Sequence, residues 1–175
     1  RASTLDIGAS ISEFGQAALV FNFESYFNQG RSRINGRIGH EIQPMRFYGV
    51  GPQSLQENET WYEPQYNRVA LGYTHRVLAA EGNRGLAVGG RIEYWNTVMS
   101  QSSDSLAALG VEAPTGWGGG LAMGLGAVVI YDTRDNAYFP TRSVFVEART
   151  MAYPRILGAD FLYSRTYLDV RGYYP

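Results

Sequence analysis

The chain has 175 residues, a formal net charge of −1, 15 basic residues that are all arginine, and no cysteine. That length suits one domain. The balanced charge, without a basic run, argues against a nucleic-acid partner, and the missing thiols remove disulfides and cysteine-ligated metals. Glycine (21) and tyrosine (13) are abundant, yet the sequence contains no run of the ~18 apolar residues that a membrane helix needs. A helical membrane protein is thereby excluded, whereas a β-barrel stays open because its strands look only half apolar.

Side chains alternate with a period of two almost throughout. A first strand is expected over 4–11. The second, 14–26, sends Gly15, Ala17, Leu19, Phe21 and Phe23 to one face, with Ala18, Val20, Asn22 and Glu24 on the other. The third, 31–43, opposes Ile34, Gly36, Ile38 and Ile42 to Arg33, Asn35, Arg37, Glu41 and Gln43. The fourth, 65–79, sets Val69, Leu71, Tyr73 and Val77 against Arg68, Gly72, Thr74 and Arg76. The fifth, 84–98, sets Leu86, Val88, Ile92 and Tyr94 against Gly89, Arg91, Glu93 and Thr97. Strands over 120–132 and 141–153 follow. The last, 159–174, opposes Leu162, Leu168 and Val170 to Arg165, Tyr167, Asp169 and Arg171. Helical spacing is limited to a single turn's worth at Ser105–Leu109.

Connections after strands two and four (Phe27–Gly30, Ala80–Asn83) are short, and those after three and five run to about twenty residues. Long and short loops thus fall on opposite ends, as in outer-membrane barrels with short periplasmic turns. The seventh connection, Pro154–Gly158, is short and departs from that pattern. Strands of up to about fifteen residues exceed the usual 5–6 and suit tilted spans with about 9–11 residues in a bilayer. On this reading Arg33, Arg37, Glu41, Arg68, Arg76, Arg91, Glu93, Arg165, Asp169 and Arg171 face a lumen. Tyr26, Tyr48, Trp61, Tyr62, Tyr66, Trp95, Tyr131 and Tyr153, near strand ends, suit an aromatic girdle. The soluble alternative is a β-sandwich or lipocalin-like barrel.

Asp132–Asn136 gathers two acids beside an arginine, a combination that could mark a reaction site. The residues fit one poorly. Asp132 and Asp135 are three apart across a turn, unlike a carboxylate pair facing one cleft. Asp132, Asp135 and Asn136 could offer oxygen ligands, but their spacing matches no calcium loop. His40 and His75 lie on apolar faces, away from any serine–acid set. The glycine-rich Gly116–Gly126 lacks the Lys-Ser/Thr ending of a phosphate loop, and reads as a loop entering a closely packed strand. Asp and Asn bond their own backbone in turns, and Pro140 is foreign to a central strand. A polar hairpin turn accounts for these residue types.

"YDTRDNAYFPTRSVFVEA", Tyr131–Ala148, resembles the signature of the bacterial surface antigen family, the barrel domain of the outer-membrane assembly superfamily (BamA and TamA type). Asp132, Thr133, Arg134, Asp135 and Asn136 match its turn, and Pro140 with Thr141 match its Pro-Thr pair. Arg142 and Ser143 then replace the usual glycine. "RFYGVGPQS" with "YEPQYNRVALGY", and "LGADFLYSRTYLDVRGYYP", resemble further segments, so the likeness spans most of the chain. Arg171-Gly172-Tyr173 mimics the family's lumenal loop motif but falls within a strand.

The resemblance implies an all-β fold of antiparallel transmembrane barrel strands. About eight are expected here, as the front half of a barrel of about sixteen, in a mature or excised piece that lacks the family's chaperone-like domains. It implies no enzymatic step and no cofactor or metal. It implies a bacterial outer-membrane location. The partners would be outer-membrane lipid, nascent outer-membrane proteins and periplasmic assembly factors. Two other roles stay open: an anchor or export pore for a passenger such as a patatin-like phospholipase, and a small closed eight-stranded barrel with paired charges inside.

Overall fold

A computed structural model describes residues 3–52, 54–79, 84–102, 115–136 and 139–174. They form one antiparallel sheet of nine strands: β1 (Thr4–Ile11), β2 (Ala17–Phe27), β3 (Ser32–Ile42), β4 (Met45–Phe47), β5 (Thr60–Ala79), β6 (Gly85–Ser102), β7 (Gly119–Asp132), β8 (Ser143–Tyr153) and β9 (Tyr163–Tyr173). The order is β1-β2-β3-β5-β6-β7-β8-β9, with β4 pairing beside β5. Apart from β4, each strand thus follows the one before it in the chain, the arrangement short hairpins produce most readily. Among the described residues β1 pairs only with β2 and β9 only with β8, so the sheet stays open. The small closed eight-stranded barrel held open above is not what this chain forms.

The main differences from the sequence reading each have a local reason. The connection after β3 is not a bare loop: Met45–Phe47 pairs with Thr60–Tyr62 as the extra strand β4. The strand expected from 65 begins at Thr60 instead: Pro64 sits at a bulge between Glu63 and Pro64, where β5 passes its missing donor without breaking the ladder. The expected strand over 159–174 begins only at Tyr163, because Arg155–Leu157 form a 3-10 turn closed by Gly158 at φ +88°. That connection then folds back on β7, where Leu121 donates to Asp160 Oδ2 at 2.6 Å and Asp160 N donates to the Leu121 carbonyl at 2.8 Å. The single helical turn considered at Ser105–Leu109, and the turn at Ala80–Asn83, lie outside the described residues.

The two faces carry opposite chemistry. Leu5, Ile7, Leu19, Ile38, Val69, Leu71, Ile92, Leu125, Val129, Leu168 and Val170 share the apolar face, and all are exposed. The buried positions on the opposite face include Glu41, Thr60, Thr74 and Asp132, so the polar side is the covered one. A soluble sheet does the reverse, packing its apolar face and wetting its polar one. The small apolar core is Met151, Tyr153 and Ala159, with Ala122 packed against it.

Tyr153 shows how the register builds the charged face. Gly124 pairs with Glu93 on β6, and Leu125 with Ala152 on β8, which sets Gly124 between Glu93 and Tyr153. A Cβ on Gly124 would stand 2.6 Å from the Tyr153 ring. Without it, Tyr153 lies across β7 and donates its hydroxyl to Glu93 Oε2 at 2.6 Å. Gly124→Val is expected to displace Tyr153 from Glu93 and destabilise the fold by about 2–4 kcal/mol, overpacking and a lost charged hydrogen bond together. Urea unfolding followed by tyrosine fluorescence measures it, and an unshifted midpoint would mean the ring has another place to go.

Candidate functional site

The signature turn joins β7 to β8 and is laced by hydrogen bonds among its own residues. Asp132 ends β7, where it accepts from Arg134 three times: from N at 3.0 Å, Nε at 2.9 Å and Nη2 at 2.9 Å. The guanidinium lies over the Phe145 ring, 4.3 Å from its centroid. The hydrogen bonds from Arg134 to Asp132 hold that guanidinium above its ordinary pKa. Thr133 closes the hairpin: its N and Oγ1 each donate to the Val144 carbonyl at 3.0 Å, and Val144 N donates to Oγ1 at 2.8 Å. Asp135 accepts from Thr141 N at 3.1 Å and from Thr141 Oγ1 at 2.6 Å. Asn136 Oδ1 caps Phe139 N at 3.2 Å. Pro140 stands in the turn, clear of both strands. Every polar side chain named in the signature is thus engaged in holding the loop's shape.

The charges expected on one face do lie together there, and each carboxylate collects arginines. Arg33 reaches Glu24 at 2.5 Å, and Glu24 also accepts from the Tyr26 hydroxyl. Glu41 takes Arg68 at 3.2 Å and Arg37 at 3.5 Å. Glu93 lies between Arg91 and Arg165, each at 2.7 Å, besides Tyr153. Asp169 takes Arg171 Nη2 at 2.5 Å and Nε at 3.0 Å. Arg76 shares a cavity with Asp132 and Arg134. Arg171 and Gly172 are ordinary β9 residues, paired with Phe145 and Val144.

Four of the supposed girdle aromatics belong to this charged face instead. Tyr26 pairs with Arg33 and Tyr66 with Glu41, Arg68 lies 4.1 Å over Trp95 and 4.8 Å over Tyr66, and Tyr153 is the Glu93 partner. Position near a strand end suggested the girdle, but the parity of each strand decides the face. Trp61 and Tyr131 are exposed. Tyr62 packs with Phe47 and Trp117, and Tyr48 donates to Glu59 at 3.1 Å. Counting in twos from Glu147 through Arg149 and Met151 would have placed Tyr153 inward. His40 and His75 hydrogen-bond the cross-strand residues Asn67 and Ser32, at 2.8 and 2.9 Å.

Chemically, such paired and stacked charges hold a shape; among the described residues no cluster of acids and histidines could hold a metal ion. Asp132→Ala is expected to strand the largely buried Arg134 guanidinium and cost about 2–4 kcal/mol, read from urea midpoints. The exposed Asp135 behaves differently. Its hydrogen bonds from Thr141 hold the carboxyl below the usual aspartate range. Its stabilising contribution is therefore present above the unfolded-state value near ~4 and is lost as pH falls below it. Asp135→Asn should flatten the fall in stability between about pH 4.5 and 3, as monitored by the urea midpoint; an unchanged slope would remove Asp135 from that role.

No curated protein and no solved structure matches the chain. The Omp85 superfamily domain matches residues 1–175. The fold is the all-β antiparallel one this family implies, and the family is one of outer-membrane proteins related to insertion and translocation. With its match running the full length, the chain belongs to the Omp85 superfamily.

Proposed function

We propose that this chain forms part of the wall of a bacterial outer-membrane β-barrel whose work is to insert or translocate other outer-membrane proteins, with no catalytic step of its own. The observation that carries the reading is the exposed apolar face, continuous over the sheet and backed by paired charges. Such a surface is stable against hydrocarbon, where every backbone donor and acceptor must be met between strands. Its nearest partner is therefore outer-membrane lipid.

The free edges supply the second half of the reading. All eight residues of β1 are exposed, and its outer edge presents unpaired backbone groups among the described residues. A client strand can add there through main-chain hydrogen bonds, which need no particular client sequence. The partners are then nascent outer-membrane proteins, delivered by periplasmic assembly factors at the end carrying the signature turn. Nucleic acid has no place in this scheme.

The absence of native cysteine makes the test clean. A Cβ at Gly8 of β1 would meet nothing within 4 Å. Gly8→Cys in the full-length protein should therefore form disulfides with single-cysteine outer-membrane clients during their assembly. Ala148→Cys, on a strand paired along both edges, should not. Depleting the protein should also lower the amount of folded outer-membrane proteins. Equal crosslinking at the two positions, or loss of a single exported passenger with other barrels unaffected, would overturn the proposal.

A further inference from the structure

We propose a binding site for the sugar headgroup of an outer-leaflet glycolipid on the otherwise apolar face, near the ends of β3, β5 and β6 that carry the long connections. Cross-strand register sets Leu19, His40, Asn67, Asn96 and Leu121 in one row there. The middle three are polar, and a leucine closes the row on either side. Period-two alternation puts the row on the same face as Ile38, Val69 and Tyr94, each two residues away along its own strand. Ile38 and Val69 are exposed, so the row interrupts the lipid-facing surface. One step further toward the connections, Gln65 stands between Ile42 and Val98 and adds a fourth polar side chain.

Only part of this polarity is met within the protein. His40 Nδ1 donates to Asn67 Oδ1 at 2.8 Å. That bond leaves His40 Nε2 to accept and the Asn67 NH2 group to donate. The carboxamides of Asn96 and Gln65 have no hydrogen-bond partner among the described residues. Against hydrocarbon such groups are costly, because no water is there to meet them. Other polar side chains on this face are paired off: His75 bonds the buried Ser32 at 2.9 Å, and Thr150 meets Thr166 at 3.4 Å.

The chemistry of the row selects its occupant. It contains no arginine, aspartate or glutamate, whereas phosphate recognition favours guanidinium forks. Neutral groups that together donate and accept match hydroxyls, which do both. Tyr94, beside Asn96 on the same face, offers a ring against which the apolar side of a sugar can lie. The row stands at the end where β3 leads to β5 and β6 to β7, the outer end of a barrel whose short turns are periplasmic. A lipid that presents several hydroxyls there is a glycolipid of the outer leaflet. The inference rests on the membrane reading proposed above and gives that wall a particular lipid.

The test titrates lipid A, a phosphorylated diglucosamine glycolipid, into the full-length protein in non-ionic detergent and counts bound lipid by native mass spectrometry. One saturable binding step is expected. Combining His40→Leu with Asn96→Leu extends the flanking leucines across the row, and should weaken that step about tenfold or more as hydrogen-bonding groups are removed. Leucine suits this face, so the urea midpoint should not fall. Thr150→Leu, which removes a polar group from the same face on β8, should leave binding unchanged. Phosphatidic acid, which carries phosphate and no sugar, should bind the wild type and the double variant equally. A glycolipid step that is absent or undiminished in the double variant, or phosphatidic acid binding that falls to the same extent, would overturn the site. A wild-type protein that stays soluble and monomeric without detergent would overturn the membrane reading, and the site with it.

Discussion

Register is the constraint on which the rest of this sheet depends. Side chains alternate strictly, so a slip of one residue in any pairing would exchange the charged and apolar faces of that strand. Glu93 makes the consequence concrete. It meets Arg91 on its own strand, Tyr153 on β8 and Arg165 on β9. Those contacts cross β7 only because Gly124 lies between them and contributes no side chain. Moving β7 by one residue would put Met123 or Leu125 there instead, breaking the node from which three strands take their spacing.

The inversion of polarity follows from the same alternation. Arginines and carboxylates converge on one side in pairs, each roughly breaking even once desolvated. Their value lies less in net energy than in fixing which strands may neighbour which. The opposite side keeps its leucines, isoleucines and valines uncovered across the sheet. In water that surface would demand a second layer; in hydrocarbon it needs none. Among the described residues β1 and β9 each have an unpaired outer edge, where further strands can join.

The signature turn is a lesson in how clustered acids can mislead. Asp132, Arg134, Asp135 and Asn136 resemble a reaction site in sequence, but their polar atoms are bonded to Arg134, Thr141 and Phe139 within the turn itself. Beside the turn, Arg31 and Arg76 arrive from other strands to share a cavity with Arg33 and Arg134, a meeting that the motif alone does not encode.

Most strands were legible from the alternation of residues such as Ile34, Arg37 and Ile38, because period-two patterning is local and survives without tertiary information. The same locality explains the errors. The strand expected from 65 starts at Thr60, because the bulge that accommodates Pro64 is made with β6, far along the chain. Tyr153 looked like a rim aromatic because its partner Glu93 is 60 residues away. The sequence by itself determined that this is a meander of amphipathic strands with a family signature at one turn. Only the tertiary structure decided which charges meet, that the sheet remains open, and that four arginines share one cavity, since cross-strand distance depends on registers that no single strand encodes.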